Sequence, residues 1–143
     1  MKRLALVIGV LAGLSLGAIA AESDGEVAAR RVALELAGAF SNDGFKLRDG
    51  HWSGSFELKK PQIIQVNLYA GNEYWFSVGA TEKARKISVA VFDEAGKPVE
   101  SDPYQEGATA AAGFAPEFSG PHYIRVELLE GEPAAFCLLY SYK

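Results

Sequence analysis

The stretch Ile64-Gln65-Val66-Asn67-Leu68-Tyr69-Ala70-Gly71-Asn72-Glu73-Tyr74-Trp75-Phe76-Ser77-Val78 decides the fold class. Ile64, Val66 and Leu68 alternate with Gln65 and Asn67; Tyr74, Phe76 and Val78 alternate with Glu73, Trp75 and Ser77. Successive side chains of a strand point to opposite faces, so a period of two puts each apolar set on one buried face. Ala70-Gly71-Asn72 supplies the turn between them.

The same period continues outward. Ile87, Val89 and Val91 form one set, and Ile124, Val126 and Leu128 another. Turn residues separate the sets at 93–98, 119–121 and 130–133. Weaker strands are predicted over 53–58, 108–115 and 134–142, and 98–107 reads as the longest loop. Seven to eight short strands without a helix between them predict a mainly β fold, an antiparallel two-sheet sandwich over 45–143.

Ahead of the strands the period is helical. Val32, Leu36 and Phe40 fall four apart with Ala29, Ala33 and Ala37 beside them, the stripe of an amphipathic helix over 24–40 within an N-terminal segment 21–44. Ser23-Asp24-Gly25-Glu26 fits a capping box, and Ser41-Asn42-Asp43-Gly44 stops the helix.

Residues 1–20 have the pattern of a secretory signal: Lys2-Arg3, an apolar run from Leu4, and Ala18-Ile19-Ala20 at its end. Its removal would leave 12 basic and 18 acidic residues, a net charge of −6 in place of −4. An acidic chain lacks the electrostatic footprint for nucleic acid or an anionic membrane surface. The expected location is the periplasm or the extracellular space, with no membrane attachment once the signal is cleaved. Cys137 is the single cysteine, which excludes an intrachain disulfide. Its apolar surroundings, Phe136 to Tyr140, predict burial.

Trp52-Ser53-Gly54, then residues 66–74, then Val89 to Gly96, then Phe114-Ala115-Pro116 and Gly120-Pro121-His122-Tyr123-Ile124-Arg125-Val126 resemble, in that order, the bacterial pre-peptidase C-terminal domain. The resemblance covers about residues 50–142. It implies a jelly-roll-like sandwich acting as a non-catalytic module of secreted proteins. His122 stands where that family tends to carry Tyr.

Catalytic and metal chemistry find little footing. Gly50-His51-Trp52-Ser53-Gly54 puts Ser in the fourth place rather than the third that a nucleophile elbow needs, and no helix follows. Two histidines and one cysteine fall short of a structural zinc set. By phase, His122 shares a face with Ile124 and Val126 and reads as a core or sheet-edge residue. Asp93-Glu94-Ala95-Gly96-Lys97 lacks the acid spacing of an EF-hand and reads as a hairpin turn. No cofactor is expected. Calcium stays open only through the resemblance, with Glu100 and Asp102 as the further candidate ligands.

Aromatic residues are the candidates for binding. Trp75 and Tyr69 fall by phase opposite the core-facing residues, Tyr104 sits in the predicted loop, and Trp52 precedes a strand. Exposed together they would form a platform for a sugar ring or a partner protein; covered by the helix, Trp75 would be core. The expected function is a non-enzymatic envelope module that binds a protein or glycan. The alternative is a self-associating structural protein that exchanges its helix or a strand edge between subunits.

Overall fold

The computed structural model describes residues 22–143, so the signal expected over 1–20 lies outside the described residues. Helix α1 (Asp24–Ser41) precedes nine strands: β1 (Lys46–Leu47), β2 (Trp52–Phe56), β3 (Gln62–Leu68), β4 (Tyr74–Ala80), β5 (Ala84–Phe92), β6 (Asp102–Glu106), β7 (Thr109–Phe114), β8 (Gly120–Gly131) and β9 (Ala134–Tyr142). One antiparallel sheet has the order β1-β9-β4-β7-β6, with β2 also on β9; the other has the order β3-β8-β5. The expected mainly β sandwich with one leading helix is the fold observed. With β1 set aside, the strands interleave in jelly-roll order, except that β6 joins β7 instead of β5.

Nine strands replace the expected seven to eight, and β6 corrects the loop predicted over 98–107. All five β6 residues are exposed, so no apolar period marks the strand. Its partner's backbone organises it instead, from Asp102↔Gly113 to Glu106↔Thr109. The Thr109 hydroxyl closes the hairpin by donating to the Glu106 carbonyl at 2.6 Å.

The main core lies between the sheets. Phe56, Phe76, Leu68, Ile87, Ile124, Leu128 and Leu138 are fully buried there. All but Phe56 and Leu138 are core-facing positions of the period-two pattern, and each such side chain contributes about 1.5–3 kcal/mol by leaving water.

A second, smaller core joins α1 to the outer face of the large sheet: Ala29, Ala33 and Ala37 against Cys137 and Leu139. The helix begins as the capping pattern predicts, with the Glu26 N–H donating to Ser23 Oγ at 3.1 Å. The alanine line is the centre of the contact, whereas Val32, Leu36 and Phe40 are half-buried at its margin. β4 explains why. Its outward residues shrink along the strand from Trp75 through Ser77 to Gly79. A Cβ on Gly79 would stand 2.4 Å from the Ala33 nitrogen and 2.8 Å from the Ala29 carbonyl oxygen. Helix backbone therefore rests directly on strand backbone, and only small residues permit that approach.

Cys137 lies in this layer, fully buried as expected. Burial pushes its thiol pKa up, more than the hydrogen bond with Ser53 lowers it. A thiol reagent is expected to label the native protein at least about a thousandfold more slowly than the denatured chain, since access requires opening of the α1 layer. The unfolded chain gives up this proton first. The thiol's contribution to stability is thus complete below about pH 8.5 and is lost as pH rises through the elevated native value. Equal labelling of native and denatured protein would show that the layer does not exclude solvent.

Candidate functional site

The four aromatic candidates do not form one platform. β3 and β4 are consecutive but belong to opposite sheets, which separates Tyr69 from Trp75. Trp75 does point away from the main core, as its phase predicts, but α1 covers that face. Its ring stacks on Phe40 with centroids 4.2 Å apart and planes 8° from parallel. Beneath it, a Cβ on Gly113 of β7 would come within 2.9 Å of the indole. Trp52 is half-buried on β2, stacked on Tyr140 at 5.8 Å with the Arg48 guanidinium 5.5 Å from its ring. Tyr69 is 64% exposed, just past β3. Tyr104 is exposed on β6; its hydroxyl donates to the Glu106 carboxylate at 2.9 Å, which together with the carboxylate's charge raises its pKa.

His51 and Ser53 meet a third group, Glu22, just before α1. The Glu22 carboxylate holds Arg30 at 2.5 Å, His51 Nε2 at 3.2 Å and the Ser53 hydroxyl at 3.3 Å. A nucleophile relay requires the imidazole between the hydroxyl and the carboxylate, so that it can accept the hydroxyl proton. Here the carboxylate occupies the middle and binds both. The cluster ties the chain ahead of α1 to the helix and to β2.

Asp93 to Lys97 forms a hairpin turn. The Asp93 N–H donates to the Lys97 carbonyl at 2.9 Å, and Asp93 Oδ1 accepts from the Lys97 N–H at 2.8 Å. No three His, Cys, Asp or Glu side chains converge as a metal site would need among the described residues.

An open groove of about 580 Å³ lies at one end of the sandwich. The β5–β6 connection brings Asp93, Glu100 and, at the start of β6, Asp102 to it. The β7–β8 connection brings Glu117 and Phe118. Four carboxylates thus line the groove without a Lys or Arg. Phe118 is 79% exposed at its edge, the most exposed large apolar side chain among the described residues. Behind it Phe114 packs against His122 at 5.6 Å. His122 is buried on the core side of β8, as its phase predicts, and Nδ1 bonds the Gly120 carbonyl at 3.0 Å. A carbonyl only accepts, so Nδ1 carries the proton and Nε2 is an acceptor in the neutral ring.

Of the groove's residues, Asp93, Glu100, Asp102 and His122 were legible as polar candidates, but not as one site. Phe118 carried no period and no motif. Its signal was a lone aromatic in a turn-rich segment between Pro116 and Pro121.

No helix among the described residues is long and apolar enough to cross a membrane. No family model and no curated protein matches the chain. Among solved structures, the chain is similar to PliG of Aeromonas hydrophila, a periplasmic inhibitor of g-type lysozyme: 18% identity, 66% of this chain and 85% of that chain covered, TM-score 0.47.

Proposed function

We propose that this protein is a non-catalytic, extracytoplasmic binding module whose end groove takes a basic segment of another protein. The observation that carries the reading is the pairing of four lining carboxylates with an exposed phenylalanine at the groove's edge. Interfaces use a buried aromatic as anchor and surrounding charge to steer the approach. The partner's complement is an apolar pocket or side chain ringed by Lys or Arg. A protein fits better than a glycan, because stacking on sugars would need the aromatic platform that α1 covers at Trp75. The extracytoplasmic location rests on the signal pattern of residues 1–20.

The test is a photoreactive phenylalanine analogue at position 118, in the full chain expressed with its own leader. The expected result is a discrete adduct with a protein that presents a cationic surface. Asp102→Lys combined with Glu117→Lys should weaken that adduct at low salt. An adduct that survives charge reversal undiminished would remove the basic partner from the proposal, and crosslinking from the helix position Leu34 but not from 118 would move the binding surface elsewhere.

A further inference from the structure

We infer that the open edge of β3 is a self-recognition surface, which pairs antiparallel with β3 of a second copy of this chain. β3 is the end strand of its sheet and hydrogen-bonds only to β8 among the described residues. Which of its backbone groups are free follows from one residue. Asn67 lies opposite Pro121, which has no N–H, so this pair must be of the non-hydrogen-bonded kind. Alternation then assigns Gln62, Ile64, Val66 and Leu68 to the β8 ladder. Ile63, Gln65 and Asn67 direct their N–H and C=O groups at the open edge.

The other edges are blunted in ways β3 is not. β6 carries Asp102, Pro103 and Glu106; β5 carries Arg85, Lys86 and a register irregularity at that point; β2 is five residues long with Gly54 at its centre. Charges, proline and bulges are the devices that keep edges from pairing. Gln62-Ile63-Ile64-Gln65-Val66-Asn67-Leu68 has none of them over seven residues, and Ile63 is 57% exposed.

Several features favour a second copy as the occupant. The chain's net charge is −4, yet β3 is uncharged, so two copies can meet here without like charges directly opposite. A two-fold axis at Gln65 sets Gln65 against its own counterpart and Ile63 against Asn67 of the second copy. Each of those pairs joins outward-facing residues, as a hydrogen-bonded antiparallel pair requires. The same register brings exposed Tyr69 toward Pro61 of the second copy. Two three-stranded sheets become one of six strands.

The experiment is light scattering of the processed chain over a concentration series, with Gln65→Pro and Ile63→Lys. Proline at 65 removes an outward N–H and leaves the β8 ladder intact; lysine at 63 charges the edge. The expected result is a mass that doubles with concentration, and a dissociation constant raised about tenfold or more in each variant. Amide exchange at Ile63, Gln65 and Asn67 should slow as the dimer forms, while Ile64 and Val66 are protected throughout. A wild-type mass that stays monomeric to about 1 mM overturns the inference. So does a dimer that Ile63→Lys leaves unchanged, and this variant decides the matter should Gln65→Pro fail to fold.

Discussion

Gly79→Ala is expected to destabilise the protein by about 3 kcal/mol, the upper end for overpacking by one methyl. In a domain of this size that lowers Tm by roughly 12 °C. The cause is contact rather than backbone conformation. Gly79 is an interior residue of β4 and is not among the positive-φ glycines. In such a position alanine would by itself stabilise by about 0.4–1 kcal/mol, through the unfolded chain. The added Cβ, however, falls 2.4 Å from the Ala33 nitrogen, 2.8 Å from the Ala29 carbonyl oxygen and 2.9 Å from the Val32 carbonyl carbon. All three are helix backbone, which cannot turn aside as the end of a side chain can. The steric term therefore wins, and α1 must lift. Lifting also breaks the Phe40–Trp75 stack, so the tryptophan emission should shift to the red. Gly38→Ala is the control: Gly38 lies in the same helix with nothing within 4 Å of its Cβ position. There alanine should stabilise by about 0.5–1 kcal/mol. Urea denaturation of the two variants checks both signs, and a neutral Gly79→Ala would mean that the helix does not sit on the strand.

That contact also marks the boundary of what could be read in advance. β3 and β8 were legible because one face is core and the other is wet, so Val66 and Leu68, or Ile124 and Val126, stand out from their polar neighbours. The helix was legible for the same reason. β4 is buried along nearly its whole length, since core residues and helix-covered residues alternate. Its phase gave Trp75 the right face but could not say what lay over it. Two local marks pointed to the cover: a glycine inside a strand and alanines four apart in a helix. Both signal close backbone approach only when set beside each other. β6 left no mark, because an exposed hairpin arm has no buried face to impose a period. The end groove left none either. Asp93 and Glu117 become neighbours through β-strand order, which is a long-range property, and no period or motif in either connection records it.

Phe118→Ala is expected to weaken the partner complex about thirtyfold, roughly 2 kcal/mol, the loss typical of an aromatic anchor. Folding should be untouched, because a side chain 79% exposed contributes little to the core; an unchanged urea midpoint verifies this. The carboxylates predict a different signature. Glu100→Lys with Glu117→Lys should slow association about tenfold at low salt and alter dissociation less, as rim charges act mainly on encounter. High salt should erase most of that difference by screening, while the Phe118→Ala defect persists. The two variants thus separate steering from anchoring in one series of binding rates. If Phe118→Ala and the charge reversal both leave the rates of a captured partner unchanged, the groove is not its binding surface. A defect in Phe118→Ala alone, without salt dependence, would keep the anchor and remove the basic partner from the proposal.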